Sequence, residues 1–369
     1  MERSGEGYGP GDRVASASGS GAPGPQVAPE AHVTPDDVRH LRRALALAAE
    51  GPVADPNPLV GAVIVGRDGQ LVGEGFHRGS GTPHAEAAAL LAAGDAARGA
   101  TAYVSLEPCN HTGRTPPCSA ALLTAGVARV VYALPDPNPV AAGGAQHLRA
   151  AGVDVTGGVL AEEAAALNRT WLHRVRTGRP FVTWKFAGTL DGRAAAADGT
   201  SQWITGRAAR ADVHRLRARC GAIVTGTGTA LADDPHLTVR GDAAPSRQPL
   251  RVIVGERPVP AGARVLDDAA PTRVFATHDV AAVAAELGRD GVHHALLEGG
   301  PTLAAAFLRA GLVDEVVAYL APTLLGAGAS VVGPLGIGTI GAAFRLTTTD
   351  VTVLDDDVRV TATIHPTKE

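Results

Sequence analysis

Pro83-His84-Ala85-Glu86, then Glu107-Pro108-Cys109 and Pro117-Cys118, set a histidine, an acid and two cysteines close together in the chain. A catalytic zinc usually takes three protein ligands and keeps a fourth position for water. His84, Cys109 and Cys118 supply three. The metal lowers the pKa of that water towards neutrality, so a carboxylate must stand by to move protons. Glu86 is the candidate. Residues i and i+2 do not share a helix face, so His84 and Glu86 can take separate roles only at a helix start. Pro83 places His84 at such a start, and Cys118 also precedes a helix, whose N-terminal end favours a thiolate. His-x-Glu alone is a weak signal, compatible with surface residues and core thiols. A Pro-Cys at a strand-to-loop junction and a second cysteine strengthen the metal reading. A structural zinc would need a fourth protein ligand, for which His111 is the best candidate.

The elements that must hold these residues are readable around them. Thr34-Pro35-Asp36-Asp37 has capping-box spacing and a first-turn proline, so a helix starts there and ends near Gly51. Leu59–Val65 and Leu71–Phe76 read as a hairpin. A helix over His84–Ala97, a strand over Thr101–Leu106, a helix over Ser119–Ala125 and a strand over Ala128–Leu134 follow. A helix near 143–151, a short strand near Val153 and a helix from Ala161 to Val175 complete this half. The order suits a mixed sheet covered by helices. Thr177-Gly178-Arg179-Pro180 reads as a linker. A second α/β pattern runs from Phe181, with strands at Ala222–Thr225, Leu250–Val254, Arg273–Ala276, His294–Leu297 and Glu315–Leu320, and later strands within Val351–Ile364. Helices are expected over Ala208–Arg219, 280–288 and 303–310. No repeat relates the halves, which points to two different domains joined in one chain.

Composition bounds the function. The 369 residues suit two domains. Aromatics are 4% against 45% hydrophobic residues, so small residues build the interior. A net charge of −4 argues against a broad nucleic-acid surface. No apolar run of membrane-spanning length and no apolar signal core are present. The reading is a cytoplasmic, reducing location, in which Cys109 and Cys118 signify metal or catalysis rather than a disulfide. Cys220 reads as a buried small hydrophobe. Residues 1–33, rich in Gly, Ser, Pro and Ala, read as a flexible tail.

The zinc nucleobase-deaminase signature is His-x-Glu followed by Pro-Cys-x-x-Cys. Here eight residues, not two, separate Cys109 from Cys118. That longer loop, Glu107-Pro108-Cys109-Asn110-His111-Thr112-Gly113-Arg114-Thr115-Pro116-Pro117-Cys118, resembles the bifunctional riboflavin-biosynthesis deaminase/reductase family (RibD-type). Pro56-Asn57-Pro58-x-Val60-Gly61 and Asp136-Pro137-Asn138-Pro139 share the resemblance. In the second half so do Lys185 to Arg193, Ser201-Gln202-Trp203-Ile204-Thr205, Leu231 to Arg240 and Glu298-Gly299-Gly300-Pro301-Thr302-Leu303.

The resemblance implies a cytidine-deaminase-like α/β/α domain over 34–177 and a dihydrofolate-reductase-like α/β domain over 180–369. It implies one zinc per chain on His84, Cys109 and Cys118, with Glu86 shuttling protons and Asn57, His77 and Arg114 contacting the pyrimidine. The second domain would use NADPH to reduce the ribosyl group of the deaminated product to ribityl. Ser201, Arg217, Leu237, Arg240 and Glu298 would hold that substrate. Ala187, Trp203, Thr229, Asp233 and Gly299 to Leu303 (Gly299, Gly300, Pro301, Thr302, Leu303) would line the cofactor. Lys185 is an electrostatic helper in this picture. Expected partners are the phosphorylated pyrimidine, NADPH and further copies of the chain, with no nucleic acid and no membrane.

Two other classes compete. One is a tRNA or nucleoside deaminase with a non-catalytic nucleotide-binding second domain; the long Cys-to-Cys loop and the acidic charge oppose it. The other is a zinc-stabilised nucleotide-binding regulator, which would need the fourth protein ligand. Residues alone do not separate NADPH from NADH, because no clamp for a cofactor ribose phosphate stands out. Gly226-Thr227-Gly228-Thr229 and Glu298-Gly299-Gly300 lack the spacing of a G-x-G-x-x-G fingerprint, so a Rossmann assignment is not supported.

Overall fold

The structure, a computed structural model, describes residues 33–112, 116–245 and 247–364. Residues 1–32 of the expected tail and Arg114 lie outside the described residues.

Helix α1 (Pro35–Ala48) opens on the expected capping box, with Thr34 and Asp37 each accepting the other's backbone N–H. Strands β1 (Gly61–Val65) and β2 (Leu71–Phe76) pair antiparallel across the hairpin. Next come α2 (Ala85–Ala93), β3 (Thr101–Leu106), α3 (Cys118–Ala125), β4 (Arg129–Leu134), α4 (Gly144–Ala150) and β5 (Asp154–Gly157). They form a five-stranded sheet ordered β2-β1-β3-β4-β5. Alternate strand residues serve opposite faces. Ile64, Val104 and Val130 pack with Ala89 and Leu122 of α2 and α3, whereas Val63, Tyr103 and Val131 pack with Leu41 of α1. Burial on both faces explains why these strands read as unbroken apolar runs.

The single helix expected from Ala161 to Val175 is two, α5 (Ala161–Leu167) and α6 (Arg169–Thr177). The reason is Asn168, which is 2% exposed. Its side chain accepts the Leu59 N–H at 2.8 Å and donates to the Leu59 carbonyl at 2.9 Å. An amide that supplies both halves of a backbone pairing outweighs one more helical turn.

The second half comprises β6 (Phe181–Thr189), α7 (Arg207–Ala218), β7 (Ala222–Gly226), α8 (Thr227–Asp233), β8 (Leu250–Val254), β9 (Thr272–Phe275), α9 (Val280–Arg289), β10 (His294–Leu297), α10 (Pro301–Arg309), β11 (Glu315–Ala321), β12 (Leu346–Leu354) and β13 (Asp357–Ile364). Its eight-stranded sheet runs β12-β13-β11-β6-β10-β7-β8-β9. Pairing is parallel from β11 to β9, and β12 and β13 add an antiparallel hairpin at one edge. Gly226-Thr227-Gly228-Thr229 spans the end of β7 and the first turn of α8. Helix α10 starts at Pro301, two residues before the expected start, since proline suits a first turn. In open parallel sheets ligands sit beyond the carboxyl ends of the strands. Gly226 and Glu298 stand at such ends here.

Candidate active sites

His84 is the N-cap of α2 and has extended backbone, as expected for a helix start after proline. Its Nδ1 lies 3.3 Å from the Cys118 sulfur and 3.6 Å from the Cys109 sulfur. All three ligand atoms fall within 4.8 Å of one another. A tetrahedral zinc with sulfur at ~2.3 Å and nitrogen at ~2.05 Å would set a sulfur-to-nitrogen edge near ~3.6 Å. One nitrogen and two sulfurs at that spacing fit zinc in both geometry and donor type. Among the described residues His111 does not join the group, which consists of His84, Cys109 and Cys118.

Local sequence sets this geometry. A Cβ on Gly73 would come within 2.3 Å of the Ala89 carbonyl oxygen, so the glycine lets α2 lie directly on β2. A Cβ on Gly144 would come within 1.7 Å of the Pro108 oxygen, which brings the start of α4 against the Pro108–Cys109 turn. The buried Glu107 carboxylate holds that turn by accepting N–H bonds from Asp136, Gly143 and Ala145 at 3.0–3.2 Å.

Glu86 is 4% exposed, on the first turn of α2. Burial lifts its carboxyl to about 7; the charge on Cys109 adds to this and His84 opposes it. An acid poised there can both take and give a proton near neutral pH.

His77 and Asn57 meet beside this triad, with the His77 ring centre 5.5 Å from that of His84. His77 Nδ1 is 3.1 Å from the Pro83 carbonyl, which can only accept, so Nδ1 carries the ring proton. Nε2 then accepts from the Asn57 amide at 2.9 Å. The same Asn57 nitrogen donates to Ser80 Oγ at 3.2 Å. That leaves the Asn57 carbonyl oxygen without a partner among the described residues. Asp55 anchors the loop by accepting from Asn57 N, Ser80 N and Ser80 Oγ at 2.8–3.0 Å. Asp55 and Ser80 were not expected as part of the site. A signal existed: Asp-Pro-Asn-Pro occurs at 55–58 and 136–139, and both copies fold with the Asp carboxylate on the Asn N–H, at 2.9 and 2.8 Å.

In the second half a cavity of about 1550 Å³ lies over the strand ends. Ligand pockets run to roughly 300–1,000 Å³, so this one is larger than a single small ligand needs. Its lining contains Lys185, Ala187, Ser201, Trp203, Arg217, Thr229, Asp233, Leu237, Arg240 and the run Glu298 to Leu303. Trp203 is 70% exposed, a flat wall rather than core, with the Arg210 guanidinium 4.6 Å from its ring centre. Thr229 accepts the Gly300 N–H at 3.0 Å and so ties α8 to the start of α10.

Glu298 at the cavity floor is already paired. Arg217 grips Glu298 with two N–H groups at 2.8 Å and gives a third to the Thr238 carbonyl at 3.0 Å. Lys185 adds a contact to Glu298 at 3.2 Å. Burial alone would raise Glu298, but Arg217 and Lys185 hold it at about 2. Glu298 is thus an anion at every neutral pH. Arg240 is exposed, and its guanidinium has no partner among the described residues.

Family models divide the chain at the same place as the sheets. The cytidine and deoxycytidylate deaminase zinc-binding region matches residues 34–134, and the RibD C-terminal domain matches residues 180–360. Over 320 residues the chain is 52% identical to the riboflavin biosynthesis protein RibD of Mycobacterium tuberculosis, covering 84% of this chain and 93% of that one. The chain belongs to the RibD family. RibD of Acinetobacter baumannii superposes with a TM-score of 0.83 at 42% identity, over 90% of this chain and 99% of that one. The diaminohydroxyphosphoribosylaminopyrimidine deaminase/5-amino-6-(5-phosphoribosylamino)uracil reductase of Thermotoga maritima gives 0.81 at 34% identity, over 89% and 99%. The RibD frame explains why one chain carries both a zinc-type triad and a separate large cavity.

Proposed function

We propose that this enzyme performs two successive steps of riboflavin biosynthesis. The first is hydrolytic deamination of 2,5-diamino-6-(ribosylamino)pyrimidinone 5′-phosphate. The second is NADPH-dependent reduction of the product's ribosyl group to ribityl. The observation that carries the reading is the nitrogen-and-two-sulfur triad with a buried, proton-poised Glu86 beside it, in a chain that also holds a large cavity over the strand ends of its second sheet. The domains are assigned to 34–177 and 180–369, with residues 1–33 as a tail.

His84, Cys109 and Cys118 would hold the zinc, which would lower the pKa of a bound water. Glu86 takes the proton of that water and gives it to the ring nitrogen as the hydroxyl adds to the ring carbon, then takes the proton of the new hydroxyl and gives it to the amine, which departs as ammonia. Asn57, its amide orientation set by His77 and Ser80, offers its carbonyl oxygen to the pyrimidine. Arg114 is assigned to the same substrate. NADPH supplies the hydride in the second step. Trp203 would be the wall beside the nicotinamide, and Ala187, Thr229, Asp233 and Gly299 to Leu303 would line the cofactor. Ser201, Arg217, Leu237, Arg240 and Glu298 surround the sugar phosphate. Arg217 and Lys185 keep Glu298 ionised, so it orients hydroxyls and does not donate protons.

The three cysteines are free thiols, in keeping with a cytoplasmic site of action. No helix among the described residues is long and apolar enough to cross a membrane. The working form is a homo-oligomer acting on small molecules and not on nucleic acid, consistent with the net charge of −4.

Purified protein given the diaminopyrimidinone phosphate should release ammonia without NADPH, and should oxidise NADPH once the product has formed. Glu86→Gln should lower ammonia release roughly 10²- to 10⁴-fold, the range for a lost acid–base group. Reduction of pre-formed product should persist in that variant. Ammonia release at the normal rate in Glu86→Gln would remove Glu86 from its role.

A further inference from the structure

His214 lines the large cavity but has no part in the reading above. It sits on α7 four residues after Arg210 and three before Arg217, and all three face the same cavity. Its Nδ1 accepts the backbone N–H of Arg240 at 3.2 Å. A nitrogen that accepts is unprotonated, so the neutral ring carries its proton on Nε2. Burial, then Arg217 and Arg240, push the His214 pKa down, with Lys185 adding to the effect and Glu298 opposing it. The ring is therefore held neutral in this tautomer, with Nε2–H as a donor that has no partner among the described residues.

The surroundings select what that donor meets. Of the charged groups that act on His214, three are cations, Lys185, Arg217 and Arg240, and one is a carboxylate, Glu298, so the cluster keeps excess positive charge. Arg217 spends its fork on Glu298, whereas the Arg240 guanidinium is uncommitted. Arg240 and His214 are locked together through the N–H to Nδ1 bond. A free guanidinium beside a free N–H donor, in a cationic wall, suits the oxygens of a phosphate monoester.

We propose that His214 binds substrate in the reductase cleft, its Nε2–H donating to the sugar phosphate next to Arg240. This rests on the cavity being the reductase site. The same chemistry would suit a phosphate on the cofactor, so the test separates the two. Steady-state NADPH oxidation is measured with the phosphorylated ribosylaminouracil and with its dephosphorylated form, and again with NADH in place of NADPH. His214→Asn keeps an acceptor for the Arg240 N–H but loses the donor. His214→Gln restores an N–H close to the Nε2 position.

In His214→Asn the preference in kcat/KM for phosphorylated over dephosphorylated substrate should fall roughly 10- to 100-fold, the worth of one hydrogen bond to a charged group. The loss should lie in KM, and His214→Gln should recover most of it. Equal losses on both substrates in both variants, as a purely structural histidine would give, overturn the proposal. So does a change confined to NADPH over NADH, which would place the phosphate on the cofactor. A wild type that oxidises no NADPH on the phosphorylated substrate overturns the functional reading and this one with it. A wild type that does, paired with an Asn variant of unchanged KM, overturns this one alone.

Discussion

Cys109 and Cys118 are chemically alike and structurally unequal. Cys109 accepts from the Cys118 thiol, then from His84 and from the Cys118 backbone N–H, and against its burial these bring it to about 4. Cys118, facing that thiolate and buried, is pushed up. The Cys109 sulfur is one of three donor atoms gathered for a cation, so Cys109→Ser should empty the site. Losing a partner one shell further out already costs ~10–100-fold in affinity, and a lost ligand should exceed that. Metal analysis after dialysis should fall from one zinc per chain to a small fraction; full retention would sink the assigned ligand set. The residue types of this triad were legible because zinc chemistry demands them at a helix start and a Pro-Cys turn. The second site was less so. Arg217 and Glu298 are 81 positions apart, and Lys185 and Glu298 are 113 apart. On the sequence Arg217 is one of several arginines along its helix, with nothing to say which of them turns inward. His214 was hidden among the same charges.

At the scale of elements, α1 shows where local patterns stop informing. Its capping box was readable because Thr34 and Asp37 are three residues apart. Asp37 does more than cap. Its carboxylate takes two bonds from Arg129, at 2.6 and 3.1 Å, and one from Tyr103 at 3.0 Å, which fastens α1 to β4 and β3. Arg129 is 92 residues away, so no periodicity could announce it. Burial pushes the Asp37 carboxyl up, but the bonds from Arg129, Thr34 and Tyr103 win and hold it at about 2, below the ordinary 3.8. A depressed carboxylate stabilises the fold above its ordinary pKa and loses that contribution as pH falls through its folded value. The difference is worth about 2 kcal/mol. Asp37→Asn should therefore lower the unfolding free energy by about that amount at pH 7, and the gap to wild type should close between pH 4 and pH 2. Urea unfolding at both ends of that window measures it. A gap that stays constant would show that lost packing, not the ion pair, is responsible.

For the whole molecule the question is how two sheets become one body. Their separate existence was legible from motif content, but their contact was not, because it rests on residues that read as ordinary strand and helix positions. Arg174 of α6 donates to the Gly288 carbonyl at 2.8 Å and to His293 at 3.3 Å, and Arg169 pairs with Glu315 at 2.7 Å. Glu315 also accepts from Thr183, whose hydroxyl meets the buried His294 at 2.8 Å. The loop that carries Asn57 leans on the same region: a Cβ on Gly291 would lie 3.4 Å from Pro56, and Asp55 bears on His293. Burial, then Arg174, bring His293 down to about 4. Burial, then Arg169 and Arg219, bring His294 down to about 3. Both stand neutral in the fold and protonate near 6.5 once unfolded. A histidine with a depressed folded pKa takes up protons on unfolding between those values, so its stabilisation is complete above pH 6.5 and declines as pH falls towards 4. Each such group tilts unfolding free energy by ~1.4 kcal/mol per pH unit inside the window. His293→Gln keeps an acceptor for Arg174 and removes one proton from the balance. Its plot of unfolding free energy against pH should be shallower than wild type by about that slope between pH 6 and 4.5, with the two lines parallel above pH 7. Parallel lines throughout would mean that His293 is already charged in the fold, and that the joint between the sheets is wetter than its burial indicates.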